Sequence, residues 1–424
     1  MKKTGQESPR DTEREVGRDG RSAAELELQR AMDLDPRFQR LQRGAIIAGA
    51  LGLLAALAGL LLGQVPRFFQ AYLVAFLFWS GISLGALAIT MLHYLVGGGW
   101  GIVIRRVGEA ASKTLWLTAV LFVPLVFGLA YLYPWARPEL VAADPVLQHK
   151  SLYLNVPFFI IRAIVYFAVW IGLSQVLTRW AEEPEHFYNL ERRRNLQRLS
   201  AIGIIVLVLT VTFASIDWVM SLEPAWFSSI FGFLIITGQV LAGLAFVLMI
   251  LPLLVHRQPL SSFVTPGLFR DLGALLLTMV ILWAYMSFSQ YLIIWYGNIP
   301  REVTWYLNRS TGGWVWLIVL VFVIQFVVPF LVLLSLQAKR NLRLLAGLSI
   351  AILIIRFVEY HWLVIPSFHP EGLSLHWLDF ALPLALGGAW IPAFIWHLRR
   401  TPPTLFTRSG IQEAGDRGPE QTPA

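Results

Sequence analysis

The chain has 424 residues, of which 56% are hydrophobic and 14% charged, with a formal net charge of +8. This composition is typical of an integral membrane protein, so the basic excess indicates orientation rather than nucleic-acid binding. The sequence contains no cysteine, which excludes disulfides, thiolate-bound iron–sulfur clusters and Cys-attached haem within the chain.

The two ends of the sequence differ in composition from its centre. Residues 1–43 are densely charged and lack the apolar core and cleavage site of a signal peptide, so we predict a cytoplasmic segment. The transmembrane domain is predicted over 44–398. Residues 399–424, rich in Pro, Gly and charge, are predicted to form a disordered cytoplasmic tail.

Between these ends, the sequence alternates between long apolar segments and short polar loops. A membrane-spanning helix needs about 20 mainly apolar residues. Ten segments meet this requirement: 45–63, 69–96, 114–134, 156–178, 199–220, 228–254, 272–296, 313–336, 343–365 and 376–397. The predicted fold class is therefore an all-α integral membrane protein with ten transmembrane helices.

The distribution of basic residues predicts the orientation of these spans. The two termini and every second loop carry 27 of the 34 Lys and Arg residues, the other loops carry five, and the spans carry two. Because loops rich in Lys and Arg stay in the cytoplasm, we predict that both termini are cytoplasmic. The run Gly97–Gly101 is interpreted as the C-terminal end of span two within such a loop.

Spans two and six share a sequence motif that indicates an internal repeat. Phe76–Ala88 and Phe233–Ala245 repeat Phe, Leu, Gly, Leu, Leu and Ala in register. We interpret this as two parallel four-helix bundles, over about 69–220 and 228–365, flanked by spans one and ten. Chance similarity within the small alphabet of membrane segments is the alternative. Three glycines of the motif are predicted to let helix backbones pack closely: Gly81, Gly85 and Gly238.

Ionisable side chains occur inside the predicted spans, where a charge costs about 2.5–3.5 kcal/mol on insertion scales. In the predicted orientation all of them lie in the outer half of the membrane: Arg162, Asp217, Arg356, Glu359, His361 and Asp379. Uncharged polar residues add to the set: Asn155, Tyr285, Ser289, Gln290, Thr237, Gln239 and Gln325. We predict a polar cavity, open to the outer face, whose carboxylates and His relay protons.

Structural roles compete with this hypothesis at several positions. Arg356 and Glu359 are three residues apart on one helix face, as expected of an ion pair. Arg162 either extends outward to the interface or neutralises Asp217. Asp379 is favoured as a solvated carboxylate at the start of span ten. Asp217 is the best single candidate for a functional role.

Ligands for a cofactor are not expected in this chain. His93 and His361 fall at opposite faces of the membrane, so they cannot form the axial pair of a b-type haem. His369, His376 and Glu371 share an outer loop, but their spacing is weak support for a metal site. We predict that the chain itself binds neither haem nor metal.

Three stretches carry a family resemblance: Tyr153–Arg162, Ser215–Pro224 and Ser287–Asn298. They resemble the ActF-type membrane subunits of bacterial alternative complex III, a quinol:cytochrome c or quinol:oxidase oxidoreductase. The resemblance extends over spans two to ten. At these motifs it points to Asn155, Arg162, Asp217, Glu223 and Gln290 as functional positions.

The resemblance implies a fold, a location and partners. The fold would be NrfD/PsrC-like, in the bacterial inner membrane. The partners would be a homologous ActC-like membrane subunit, a periplasmic iron–sulfur subunit, haem c subunits and, in some assemblies, a terminal oxidase. The family assigns quinol oxidation chiefly to the ActC-like subunit. An ActF-type subunit is described as quinone-binding, with menaquinone as one candidate, and as carrying a proton path.

The leading hypothesis is thus a non-redox membrane subunit that contributes to a quinol and proton pathway open to the periplasmic side. One alternative is a purely structural anchor, whose polar residues bind partner subunits. Another is a stand-alone transporter, which predicts polar residues on both sides of the midplane and broken helices around a central site.

Overall fold

A computed structural model describes residues 35–182, 190–255 and 266–400. Within these ranges the chain forms helices and no strands, which confirms the all-α fold class. The predicted N-terminal segment up to residue 34 and the predicted tail from residue 401 lie outside the described residues. The α-helices, in chain order, are α1 Pro36–Leu61, α2 Val65–Val96, α3 Gly99–Ser112, α4 Leu115–Phe127, α5 Leu129–Leu132, α6 Pro138–Ala143, α7 Pro145–Lys150, α8 Val156–Glu182, α9 Leu190–Trp218, α10 Phe231–Leu254, α11 Pro266–Gly297, α12 Pro300–Asn308, α13 Trp314–Phe322, α14 Val328–Leu333, α15 Leu336–Lys339, α16 Leu342–Val364 and α17 Leu378–Arg400.

Nine helical segments in the described ranges are long and apolar enough to cross a membrane. They coincide with nine of the ten predicted spans, which confirms a multi-pass membrane protein. The ninth predicted span, 343–365, forms α16, a helix of 23 residues that is not among the nine. Its second half carries buried Arg356, Glu359 and His361. The side on which the termini lie remains a prediction.

Helices α2 and α10 form the centre of the molecule, and they cross at two glycines. A β-carbon at Gly85 would collide with the backbone carbonyl of Gln239, and one at Gly243 would collide with the backbone of Gly85. The absence of side chains therefore sets the distance between the two helices. Both helices are apolar on all sides, as expected of helices enclosed by others. Gly85 confirms its predicted role in close helix packing.

Helices α1 and α17 pair on the outside of this centre. Gly49 and Gly388 meet where they cross, and a β-carbon on either would collide with the backbone of the other. The remaining surface of α1 carries exposed leucines, among them Leu51 and Leu54. An exposed apolar face on a helix of 26 residues is what contact with lipid requires.

The structure differs from the sequence prediction over residues 97–113. The sequence indicates a basic loop there, whereas residues 99–112 form α3, which packs against α2. Gly97 and Gly98 have φ angles of +76° and +99° and reverse the chain direction. Gly101 then approaches the ring of His93 so closely that a β-carbon would collide with it.

The polar loops gather on one face of the molecule, which we call the loop face and define as residues 134–155, 219–230, 298–313 and 365–377. Two basic side chains connect its segments. Lys150 Nζ donates to the carbonyl of Pro224 at 2.7 Å, and Arg301 Nε donates to the carbonyl of Ala225 at 2.5 Å. The opposite face carries 97–114, 334–341 and the C-terminal end of α17.

Candidate functional site

The largest cavity lies beside α16, on the half of the molecule that carries the loop face. It has a volume of about 490 Å³. Residues of α10, α11, α12, α13 and α16 line it, and most are aromatic or aliphatic: Phe231, Leu234, Trp283, Phe288, Tyr291, Trp295, Trp305, Tyr306, Leu307, Val315, Ile318, Val319, Phe322, Trp362 and Leu363. Its polar lining is confined to Ser287, Gln290, Arg309, Ser310 and Glu359. We call it the aromatic cavity.

The side of the aromatic cavity between α11 and α13 faces the membrane. Phe288 is 60% exposed and Phe322 46% exposed, although both are large apolar side chains. Exposed aromatic residues on membrane-spanning helices face acyl chains. A lipid-soluble molecule therefore has a lateral route into the cavity from the bilayer.

Glu359 is the carboxylate on the wall of this cavity, and its side chain is held from three sides. Trp283 Nε1 donates to Oε1 at 3.1 Å, and Gln325 Nε2 donates to Oε2 at 2.9 Å. The guanidinium of Arg356 forms an ion pair with Oε2. The i, i+3 ion pair expected from the spacing of Arg356 and Glu359 is therefore present, and it borders the cavity.

A π-helical segment brings Gln325 to Glu359. Residues Val323–Val327 interrupt the span formed by α13 and α14, and within them Gln325 is fully buried. One additional residue per turn rotates the following residues relative to a regular α-helix. Such insertions occur frequently at functional sites. The amide of Gln325 consequently points towards α16 instead of the lipid.

Arg356 occupies a space that a glycine leaves open. A β-carbon at Gly238 of α10 would collide with its guanidinium, so this position has to lack a side chain. The guanidinium also lies over the ring of Tyr360, with Cζ 5.0 Å from the ring centroid. Gly238 was predicted to bring helix backbones together, but the structure shows that it accommodates a buried cation.

The end of the aromatic cavity at the loop face is closed by an ion pair. Arg309 Nη1 lies 2.7 Å from Glu223 Oε1, and Arg309 Nη2 donates to the carbonyl of Leu363 at 2.9 Å. Glu223 also accepts a hydrogen bond from Ser367 Oγ at 2.7 Å. Burial lowers the pKa of the Arg309 guanidinium, and the negative charge of Glu223 opposes that shift. The Glu223 side chain keeps 20% exposure, so it connects this end to the loop face.

Asp217 lies elsewhere, in a fully paired site between α8 and α9. Arg162 Nε donates to Oδ2 at 2.8 Å, Arg162 Nη2 donates to Oδ1 at 2.9 Å, and Tyr166 Oη donates to Oδ2 at 2.8 Å. The side chain of Asp217 is buried, and the adjacent Trp218 packs among aromatic rings. Of the two roles expected for Arg162, the structure has the neutralisation of Asp217.

Asp379 begins α17 as predicted, but it is not solvated. Only 4% of the residue is exposed, and its Oδ2 pairs with Arg67 Nη2 at 2.6 Å. The same oxygen accepts the backbone N–H of His376 at 2.8 Å. The expectation of a solvated carboxylate is therefore wrong, because Arg67 at the start of α2 covers it.

The other polar candidates have separate local roles. Asn155 caps α8, since its Oδ1 accepts the backbone N–H of Phe158 at 2.9 Å. Thr237 donates to the carbonyl of Phe233 at 2.7 Å within its own helix. His361 is buried, with its ring 5.9 Å from that of Trp314. The buried Gln239 lies beside Gly81.

Among the three polar candidates of α11, one lines the aromatic cavity. Gln290 is buried, and its Oε1 accepts a hydrogen bond from Ser228 Oγ at 2.6 Å. Tyr285 is 62% exposed on the outside of the helix, and Ser289 does not line the cavity. Ser287 lines it instead, two residues away on the other side of the helix.

Sequence reasoning missed a second buried polar cluster, at the opposite face. Glu109 is 1% exposed and pairs with Arg105, whose Nε lies 2.7 Å from Glu109 Oε1. Tyr94 Oη donates to the same carboxylate, and Arg105 also donates to the carbonyl of Ala181. The i, i+4 spacing of Arg105 and Glu109 was the available signal, but it lay in a stretch predicted as a loop.

Metal ligands do not cluster in the part of the chain that the structure describes: no group of three or more His, Asp or Glu side chains could hold an ion there. His369 Nδ1 lies 3.4 Å from Glu371, and its Nε2 lies 3.3 Å from Gln70, so this ring has protein partners on both sides.

The chain was compared with known proteins, and neither a family model nor a curated protein matches it. Its functional interpretation therefore depends on the geometry of the aromatic cavity and on the sequence motifs.

Proposed function

We propose that this chain is a non-redox membrane subunit of a respiratory quinol:cytochrome c or quinol:oxidase oxidoreductase. In this role it contributes a quinol and proton pathway open to the periplasmic side. The observation that carries the proposal is the carboxylate of Glu359 on the wall of an aromatic cavity of about 490 Å³.

The size and lining of the aromatic cavity suit a quinol head group. Sites for small organic molecules have volumes of about 300–1,000 Å³, with mostly apolar walls and a few oriented polar groups. Trp283 and Trp305 offer aromatic faces, and Glu359 and Arg309 offer polar groups at separate points of the wall. The lateral opening at Phe288 and Phe322 suits a substrate that partitions into the bilayer.

Glu359 has the chemistry of a proton acceptor for such a substrate. Oxidation of a quinol releases two protons and two electrons, and a carboxylate within hydrogen-bonding distance of the hydroxyl group would accept a proton. The positive charge of Arg356 favours the ionised carboxylate, and Trp283 and Gln325 fix its orientation. The two electrons would pass to an iron–sulfur cluster or haem of a partner subunit.

Glu223 would serve as the exit of the proton pathway. It is partly exposed at the loop face, and its partner Arg309 binds the carbonyl of Leu363, one helical turn after Glu359. Asp217 has no comparable access to the cavity, because Arg162 and Tyr166 occupy both carboxylate oxygens. The proposal therefore assigns proton transfer to Glu359 rather than to Asp217.

The test of proton transfer uses the assembled complex with Glu359→Gln. The substitution retains shape and one acceptor oxygen but removes the proton-accepting charge. We expect quinol oxidation to slow by roughly 100-fold, the usual contribution of a positioned base. Glu371→Gln is the matched control, because that side chain is 74% exposed on the loop face. Turnover of Glu359→Gln at the wild-type rate, with haem and iron–sulfur subunits present, would refute this role.

Quinol binding is tested separately on the full chain in lipid nanodiscs. A tritium-labelled menaquinone analogue is titrated against the wild type and against Ala284→Phe, which adds a ring to the cavity wall. We expect weaker binding to Ala284→Phe and unchanged binding to Ile281→Phe, whose residue is 42% exposed on the same helix. Equal affinity of all three proteins would exclude the aromatic cavity as the quinol site.

A structural anchor is the second candidate function, and the paired charges favour it. Arg162–Asp217, Arg67–Asp379 and Arg309–Glu223 tie helices and loops together at the side where partner subunits are proposed to bind. An anchor predicts that Glu359→Gln changes the yield of assembled complex but not turnover per complex. A stand-alone transporter, in contrast, would move solute in proteoliposomes that contain this chain alone.

A further inference from the structure

A second cavity lies at the opposite face, between the α3–α4 junction, the last turns of α8 and the end of α17. Its volume is about 320 Å³. Three basic residues line it, one from each of these elements: Lys113, Arg179 and Arg400. The described lining residues include no carboxylate. We call it the basic cavity.

The basic cavity is positioned at a membrane boundary. Arg179 lies near the end of the span Val156–Ala181, and Arg400 ends the span Leu378–Arg400. Trp116 and Trp396 flank the cavity, and each is 45% exposed. Tryptophan is enriched where acyl chains meet head groups, because its ring is apolar and its N–H is polar.

Both tryptophans are held in place by neighbouring side chains. Trp116 Nε1 donates to His397 Nε2 at 3.0 Å, which leaves that imidazole nitrogen as an acceptor. Arg400 lies over the ring of Trp396, with Cζ 3.8 Å from the centroid. The edge of the cavity is therefore ordered before any ligand binds, which reduces the entropy cost of binding.

The cavity continues into an apolar surface along the spans. Ile171 and Leu115 form part of its wall, and Val120 and Val176 are exposed further along α4 and α8. A free phosphate ion would use the basic residues alone. A ligand with a phosphate head and acyl chains would use both the basic cavity and the apolar surface.

We propose that the basic cavity binds the head group of an anionic phospholipid, whose acyl chains lie along the exposed apolar residues of α4 and α8. Lys113, Arg179 and Arg400 would neutralise the phosphate, with Arg side chains able to bind two of its oxygens together. The Trp116 and Trp396 rings would pack against the glycerol and the first methylene groups. This site is independent of the aromatic cavity, which lies towards the other face.

The experiment measures lipid binding to the purified full chain by native mass spectrometry in detergent. Phosphatidylglycerol is compared with phosphatidylcholine of the same acyl length and with glycerol 3-phosphate, which has the head group but no chains. The variant is Lys113→Gln/Arg179→Gln/Arg400→Gln. The control is Arg270→Gln/Arg340→Gln/Arg343→Gln, which removes three basic residues that do not line the cavity.

We expect the wild type and the control to prefer phosphatidylglycerol over phosphatidylcholine and to bind glycerol 3-phosphate far more weakly. Each basic residue near an anionic lipid surface contributes about fivefold in affinity, so the triple variant should lose on the order of 100-fold. A second variant, Arg179→Lys/Arg400→Lys, retains the charge and should keep most of the preference.

Three results would overturn the proposal. One is an undiminished preference for phosphatidylglycerol in the triple variant, and another is an equal loss in the control. The third is binding of glycerol 3-phosphate as tight as that of the lipid, which would indicate a site for a free phosphate compound. Thermal unfolding without added lipid verifies that each variant is folded.

Discussion

Arg162 and Asp217 meet in a two-point ion pair inside the membrane domain, with N–O distances of 2.8 and 2.9 Å. A carboxylate so paired resists protonation, because adding a proton would leave the guanidinium without its counter-charge. The pair therefore fixes α8 against α9. The motif residue with the clearest functional signal in the sequence thus has a structural environment.

The first prediction concerns this pair. Asp217→Asn leaves the Arg162 charge buried with a neutral partner, and we expect a loss of stability of about 3 kcal/mol. Arg162→Gln/Asp217→Asn should recover part of the loss, because no buried charge remains. Thermal unfolding of the purified chain in detergent measures both. An Asp217→Asn protein with wild-type stability but a lower proton yield in the complex would instead support a proton-transfer role.

The second prediction concerns Gly238. Gly238→Ala would displace the guanidinium of Arg356 and thereby disturb its pairing with Glu359, at a cost of about 1–3 kcal/mol for an overpacked site. Gly347→Ala is the control, since nothing lies within 4 Å of that position in α16. There the substitution should stabilise the helix by up to about 1 kcal/mol. Similar unfolding temperatures for the two variants would contradict this account.

The third prediction concerns the ion pair that closes the aromatic cavity. Glu223→Gln removes the charge opposite Arg309, whose side chain is 1% exposed. We expect a destabilisation of about 1–3 kcal/mol. The matched control is Asp271→Asn, because Asp271 pairs with Arg270 at about half exposure and such pairs contribute about 0–1 kcal/mol. Equal effects in thermal unfolding would show that burial of Arg309 does not matter.

The fourth prediction concerns pH. Burial and the nearby Arg67 lower the pKa of His376 in the loop before α17, while Asp379 opposes the shift. In the unfolded chain His376 takes up a proton near pH 6.5, at about its ordinary pKa. The stability contributed by neutral His376 is therefore present above about pH 6.5 and is lost as the pH falls towards the lower folded pKa.

Unfolding temperatures measured between about pH 7.5 and pH 5 check this expectation, since the range covers the titration of histidine. The wild type should lose more stability than His376→Gln over that range. Identical pH dependence of the two proteins would mean that His376 keeps its ordinary pKa in the folded state.

Local spacing predicted the ion pairs but not the cavity. The Arg356–Glu359 pair follows from i, i+3 spacing on one helix, and the Arg162–Asp217 pair from two charges in adjacent spans. The aromatic cavity depends on α12 and on Gln325, which belong to a loop and to a π-helical segment. Neither position can be derived from the apolar periodicity of a span.

The burial of Glu109 was missed for a related reason. Basic residues near the end of a span are usually solvated, so Arg105 was counted with the loops. Gly97 and Gly98 instead reverse the chain and press α3 into the protein. The consequence of two positive φ angles for a helix placed after them is tertiary, and a single sequence does not encode it in a readable period.

The π-helical segment Val323–Val327 also makes the eighth span unusually sensitive to length. Removing one residue from it would restore a regular α-helix but turn all that follows by about 100° about the helix axis. Gln325 would then leave Glu359, and α14 would present a different face to α11. Substitutions in this span change one contact at a time, whereas a single deletion would alter the proposed site and the helix packing together.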